Sequence, residues 1–140
     1  GAGGVVPSII FALKNMHVQE ITISNRTREK AENLKVLFNN LKILEWGNLV
    51  EFDIVINATS ASLDGKILNL PGGLCNRALC YDLMYGIETP FMKWAHDNSA
   101  KMVSDGLGML VEQAALSFNY WLGKKPNTSS IISLIRETVD

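Results

Sequence analysis

Short runs rich in β-branched residues alternate with segments of helical period along the whole chain, and that alternation leaves few architectures open. A strand, a crossover helix and a second strand return the chain in parallel, so repeated units of this kind build a parallel sheet covered by helices. No internal repeat or low-complexity tract interrupts the pattern. Strands are expected at 20–24, more weakly at 42–45, and at 53–57, 78–82 and 101–104. The 53–57 run holds three β-branched residues between polar ones, which fits an interior strand buried on both faces and ending at a polar loop, 58–62. Helices are expected at 5–15 and after Thr27, which reads as a cap, with Ala31, Leu34, Leu37 and Phe38 at helical spacing. Pro90 opens another, carrying Phe91, Trp94 and Ala95 on one side. A long amphipathic helix is marked by Leu107, Leu110, Val111, Ala114, Ala115, Phe118 and Trp121, and Gly123 and Pro126 stop it. The last helix, 129–139, has Ile131, Ile132, Leu134 and Ile135 as its apolar face.

A chain of 140 residues amounts to one domain. Thirteen basic against 14 acidic side chains give a net charge of −1, which argues against a nucleic-acid footprint. Stretch 106–123 is interrupted by Glu112, Gln113 and Asn119, short of the ~20 apolar residues of a membrane span. Cys75 and Cys80 lack a second pair that would complete a disulfide framework or a metal site, so buried free thiols in a reducing, cytoplasmic setting are expected, with no metal. His17 and His96 read as surface residues.

Gly1, Ala2, Gly3 and Gly4, followed by a helix from Val5, have the form of a phosphate-binding turn. Residues without a Cβ let the backbone approach a pyrophosphate, and the amino end of the helix offers free N–H groups and a favourable dipole. An ordinary tight turn would have the same composition. About twenty residues on, where a free ribose 2′-hydroxyl is normally met by a carboxylate, stand Asn25, Arg26 and Thr27, with Lys30 a turn later. Arg26 can stack on adenine or fork onto a phosphate, Asn25 and Thr27 can donate, and Lys30 adds charge, so NADP is the cofactor favoured. The competing reading makes Arg26, Arg28 and Lys30 solvated surface charges.

A doubly wound nucleotide fold places its phosphate-binding glycines just after the first, central strand. Here no such strand precedes them. Two unpaired ladder edges are rarely tolerated by a stable monomer, so the chain is expected to be a fragment of a longer polypeptide.

The strings GAGG, NRT, DIVINATS, YDLMYG, TPF and DGLGMLVEQAA, in this order, resemble the NADP-binding carboxyl-terminal domain of the shikimate dehydrogenase family, along the length of the chain. GAGG and NRT alone also suit glutamyl-tRNA reductase; YDLMYG and DGLGMLVEQAA are more specific. The resemblance implies a Rossmann-like α/β fold, a doubly wound parallel sheet with helices on both faces and its first central strand missing. It also implies reversible NADPH-dependent reduction of 3-dehydroshikimate to shikimate, in aromatic amino-acid biosynthesis. By that resemblance Gly1, Ala2, Gly3, Gly4 and Val5 hold the pyrophosphate, and Asn25, Arg26, Thr27 and Lys30 surround the 2′-phosphate. Thr59 touches the cofactor near its nicotinamide half, Leu83, Gly106 and Met109 line the nicotinamide pocket, and Tyr85 and Gln113 contact shikimate.

Plainer roles stand beside these. Leu83 and Met109 also suit a core, Asp82 the end of a strand, and Asp105-Gly106 a turn; a buried Gln113 amide would need either a ligand or a backbone partner. The family pattern often has arginine at the position of Lys30 and methionine at that of Leu83. Its proton-transferring lysine and aspartate lie in an amino-terminal substrate domain that residues 1–140 do not contain, so no catalytic residue is expected here and the chain alone should not turn over. Two alternatives remain: a quinate/shikimate dehydrogenase of the same family, and a noncatalytic nucleotide-sensing module. A homodimer is left open.

Overall fold

In the parallel pair of β1 (Ile21–Ser24) and β2 (Leu41–Leu44), Ile21 stands opposite Leu41 and Ser24 opposite Leu44. The computed structural model describes residues 1–48 and 50–139 of the chain. A second parallel sheet has the order β3 (Ile54–Asn57), β4 (Leu79–Asp82), β5 (Met102–Ser104), with Asn57 opposite Asp82 and Cys80 opposite Val103. Helix α1 (Val6–Asn15) precedes β1, and α2 (Arg28–Leu37) crosses from β1 to β2. Helix α3 (Pro90–Asp97) joins β4 to β5, and α4 (Leu107–Leu122) and α5 (Thr128–Val139) close the chain.

Each sheet has its own core. Val6 and Ile10 of α1 pack with Ile21, Ile23, Ala31, Leu34 and Leu41, while Cys75, Ala78 and Cys80 pack with Phe91 and Ala95 of α3. Both cysteines are free and buried. Burial, and secondarily the neighbouring Cys75, push the Cys80 thiol up to about 12.

Local chemistry sets most boundaries. Thr89 accepts a hydrogen bond from the Met92 amide at 3.2 Å, and Pro90 at the first helical position fixes the start of α3. Gly123, at φ 64°, ends α4 in the left-handed region and donates its N–H to Asn119 at 2.8 Å. Thr27 differs from expectation: its backbone has the extended geometry of a cap, yet its hydroxyl makes no capping bond. Asn25 Nδ2 instead donates to the Thr27 carbonyl at 2.8 Å. A short 3₁₀ turn at Gly72–Cys75 was not expected from the pattern.

The gap between the sheets is the main structural fact. Among the described residues β1 pairs only with β2, and β3 only with β4. A groove of about 720 Å³ separates the two free edges, with Ile21 and Ile23 on one side, Ile54 and Ile56 on the other, and Val6 and Ile10 among its lining. Ile54 is therefore 43% exposed, where burial on both faces was expected. The apolar faces of the last two helices are also less covered than their periodicity implies. Leu107, Val111 and Ala115 are buried, but Phe118, Trp121, Ile131 and Leu134 are exposed, as is Leu37 at the end of α2. Among the described residues no helix is long and apolar enough to cross a membrane.

Candidate functional site

Parallel strands send their carboxyl ends to one edge of a sheet, and in this chain those ends bring together residues distant in sequence. The Gly1 amine donates to the Ser24 carbonyl at 2.7 Å, which ties the glycine turn to the end of β1. A Cβ on Gly1 would stand 2.5 Å from the Ala58 carbonyl oxygen and 3.1 Å from the Thr59 amide, so the same turn also abuts the loop after β3. Gly3 and Gly4 differ. A Cβ on Gly3 would meet only the Ala58 oxygen, at 4.0 Å, and one on Gly4 would meet nothing within that distance. Neither residue has a positive φ. Their lack of side chains answers to no contact or strain within the protein, and both face outward at the start of α1.

Asp82 organises the next part of the site. It is fully buried, and its carboxyl oxygens accept four hydrogen bonds. Oδ2 receives Thr89 Oγ1 at 2.6 Å, Ser62 Oγ at 2.8 Å and Asn57 Nδ2 at 3.2 Å; Oδ1 receives the Met84 amide at 3.1 Å. Asn57 passes this order onward, since its Oδ1 accepts both the amide (3.1 Å) and the hydroxyl (2.8 Å) of Thr59. In sequence Asp82 reads only as the end of a strand, and Asn57, Ser62 and Thr89 carry no assigned role. A threonine directly before a helix-opening proline was the available signal for Thr89.

Leu83 and Gly106 lie against each other: a Cβ on Gly106 would overlap the Leu83 carbonyl, and the Gly106 amide donates to Met84 O at 2.8 Å. Met109 is half-buried in the first turn of α4. Burial raises the Tyr81 pKa, opposed by the Met109 backbone. Gly1, Thr59, Leu83 and Gly106 thus meet through direct contacts or a single intervening residue.

At the adenine-side position the three basic residues are not equivalent. Arg28 bonds Glu32 at 3.2 Å and Glu45 at 3.4 Å. Arg26 and Lys30 are exposed, and neither side chain has an ion pair or hydrogen bond among the described residues. The Ser24 hydroxyl, one residue from Asn25, is buried without a partner.

Tyr85 is 44% exposed and lines a smaller hollow of about 310 Å³ with Met92, Asp105, Leu107, Ile135 and Arg136. Gln113 is exposed on α4 and does not line that hollow, so the buried amide expected at this position is not found. Across the hollow, Arg136 of α5 forks onto Asp105, Nη2 to Oδ1 at 2.8 Å and Nη1 to Oδ2 at 3.2 Å. That ion pair joins residues 31 apart and was not anticipated. His17 and His96 are exposed.

Two family models match the chain: residues 1–65 match "Shikimate / quinate 5-dehydrogenase", and residues 106–136 match "Shikimate 5'-dehydrogenase C-terminal domain". The chain belongs to the shikimate dehydrogenase family. It is 48% identical to the shikimate dehydrogenase (NADP(+)) of Vesicomyosocius okutanii over 97% of its own length and 53% of that protein's. Its fold matches the Ael1 enzyme of Pseudomonas putida with a TM-score of 0.89 at 38% identity, over 96% of this chain and 52% of that one. It also matches the shikimate 5-dehydrogenase of Thermus thermophilus in complex with NADP(H) and shikimate, with a TM-score of 0.84 at 31% identity, over 98% and 52%. The Rossmann-like α/β class follows from these likenesses. The family member described here spans about half the length of the curated relatives it matches.

Proposed function

We propose that residues 1–140 form the NADP-binding, carboxyl-terminal domain of a two-domain shikimate dehydrogenase. The observation that carries this reading is the pairing of an outward-facing glycine turn, whose Gly3 and Gly4 meet no atom closer than 4.0 Å at the Cβ position, with unpaired Arg26 and Lys30 beyond the end of β1. A pyrophosphate fits the first, at the amino end of α1, and a 2′-phosphate fits the second. The buried Ser24 hydroxyl between them lacks a partner, as expected of a position that a ligand completes.

Gly1, Ala2, Gly3, Gly4 and Val5 would hold the pyrophosphate, and Asn25, Arg26, Thr27 and Lys30 the adenosine phosphate. One Asn25 amide hydrogen is already committed to the Thr27 carbonyl, so Arg26 and the free Thr27 hydroxyl carry more of the recognition. Thr59, Leu83, Gly106 and Met109 would orient the nicotinamide half. When bound, the dinucleotide supplies or accepts the hydride. Tyr85 and Gln113, both exposed, would present a hydroxyl and an amide to the substrate hydroxyls once a second domain closes over them. The proton-transferring lysine and aspartate would come from that second domain.

The groove between β1 and β3 supports the dinucleotide-binding reading. One more parallel strand there would give the six-strand order of a dinucleotide-binding sheet, with the glycine turn following it directly. The exposed apolar side chains of α4 and α5, Leu116, Tyr120, Trp121 and Leu134 among them, give a second domain a surface to cover.

The test is a fusion of residues 1–140 to the amino-terminal half of the Vesicomyosocius okutanii relative, assayed with NADP and either shikimate or quinate. NADP reduction with shikimate is expected from the fusion and not from the chain alone. A folded fusion that binds NADPH without oxidising either substrate would favour a sensing module instead, and turnover on quinate alone would move the specificity.

A further inference from the structure

We propose that Asp82 is a positioning residue for the nicotinamide half of the site, fixing Thr59 through Asn57 and the Leu83–Tyr85 loop through the Met84 amide. The inference rests on the cofactor reading above and assigns a cause to the geometry of that half.

Asp82 is one carboxyl group shared by the loops that follow β3 and β4. Its donors come from the end of β3 (Asn57), the loop that follows (Ser62), the loop after β4 (Met84) and the cap of α3 (Thr89). A buried oxygen facing several donors cannot be replaced by water or by a hydrocarbon without leaving those donors unpaired. The hub also decides the polarity of its neighbours. Asn57 must turn Nδ2 toward the Asp82 oxygen and Ser62 Oγ, because the reverse orientation would set two acceptors face to face. Its Oδ1 then necessarily faces Thr59 and accepts the hydrogen bond that the hydroxyl donates. With the Ala61 amide donating to the same hydroxyl oxygen at 3.3 Å, Thr59 offers a ligand only an acceptor lone pair and a methyl group. Asp82 therefore sets which kind of group Thr59 can receive, a donor such as a carboxamide NH₂, without touching the ligand itself.

The same carboxyl holds the other wall. The Met84 amide bonds Oδ1 while the Met84 carbonyl accepts from Gly106, so Leu83 is held between Asp82 and the start of α4. None of these bonds reaches Arg26 or Lys30, which lie beyond the other sheet. The residues proposed for the 2′-phosphate are thus mechanically separate from Asp82.

That separation supplies the experiment. In Asp82→Asn the amide nitrogen must face either three donors or the Met84 N–H; the second loses less and frees the 83–85 loop. On the fusion of residues 1–140 described above, NADPH and adenosine 2′,5′-bisphosphate are titrated by calorimetry against the parent and Asp82→Asn, with thermal melts alongside. NADPH should weaken about tenfold while the bisphosphate stays within about twofold. Unchanged NADPH affinity would overturn the proposal, and so would parallel losses of both ligands, which mark general loosening. Should Asp82→Asn fail to fold, Ser62→Ala, which removes one donor from the hub, decides alone. A selective NADPH loss of about threefold supports the role and no loss rejects it. If the parent fusion binds neither probe, the cofactor reading itself fails and this inference falls with it, an outcome distinct from selective insensitivity of the variants.

Discussion

Leu83 and Gly106 are in backbone contact: a Cβ added to Gly106 would stand 2.6 Å from the Leu83 carbonyl carbon. The loop after β4 and the start of α4 can approach this closely only because residue 106 has no side chain. Neither partner is a flexible side-chain end, so the clash cannot be relieved by a rotamer change. Gly106→Ala should destabilise the fold by about 3 kcal/mol or more, read by chemical denaturation.

Gly4→Ala should behave in the opposite way. Its Cβ would meet nothing within 4 Å, and the backbone there is compatible with alanine. Stability should hold or rise by about 0.4–1 kcal/mol, while NADPH affinity, measured by calorimetry, falls about tenfold or more as the methyl occupies the space proposed for pyrophosphate.

Arg26→Ala should remove about 1.5–3 kcal/mol of NADPH binding, or about 10- to 150-fold, and leave NADH nearly unchanged. Arg28→Ala is the internal comparison, because Arg28 is already engaged by Glu32 and Glu45. It should change NADPH affinity by less than about threefold. Equal losses of both dinucleotides in Arg26→Ala would count against the 2′-phosphate assignment.

The Asp105–Arg136 fork fastens α5 to the turn that begins α4. Asp105 is buried and Arg136 half-exposed, so truncating the arginine leaves a buried carboxyl without its main donor. Arg136→Ala should lower stability by about 1–2 kcal/mol and speed hydrogen exchange in α5 before the rest of the chain. Exchange in α5 that matches the parent would show that apolar packing alone holds the helix.

Alkaline sensitivity should centre on Cys80. Its thiol is held up to about 12 when folded, against an ordinary 9.0, so the folded state keeps a proton that the unfolded state releases. That contribution is complete below pH 9 and is lost as pH rises toward 12, by the sign of proton linkage. The melting temperature should fall above pH 9, and less steeply in Cys80→Ala. Iodoacetamide should label Cys80 only after unfolding.

The elements were legible because each is specified by neighbours in sequence. The strands that open at Ile21, Ile54 and Met102 and the proline-opened α3 lie within a residue or two of where the pattern places them. Thr27 stands at the cap of α2 as its residue type implies, but its hydroxyl makes no capping bond, a detail that residue type alone does not fix. Contacts across the sheet were not legible. Asp82 meets Asn57 and Ser62 over 25 and 20 residues, and nothing in a single sequence pairs an aspartate with donors so distant. Gln113 shows the limit of periodicity, which places a residue on a helix but does not say whether another element covers that side; here none does. The overhanging apolar residues of α4 and α5 show it again.

The open edges of β1 and β3 also govern how the isolated chain behaves in a tube. Two rows of unsatisfied backbone amides and carbonyls, flanked by isoleucines, invite strand exchange between copies. Sedimentation of the chain alone should therefore reveal concentration-dependent aggregates, and a parallel strand supplied to the cleft should dissolve them.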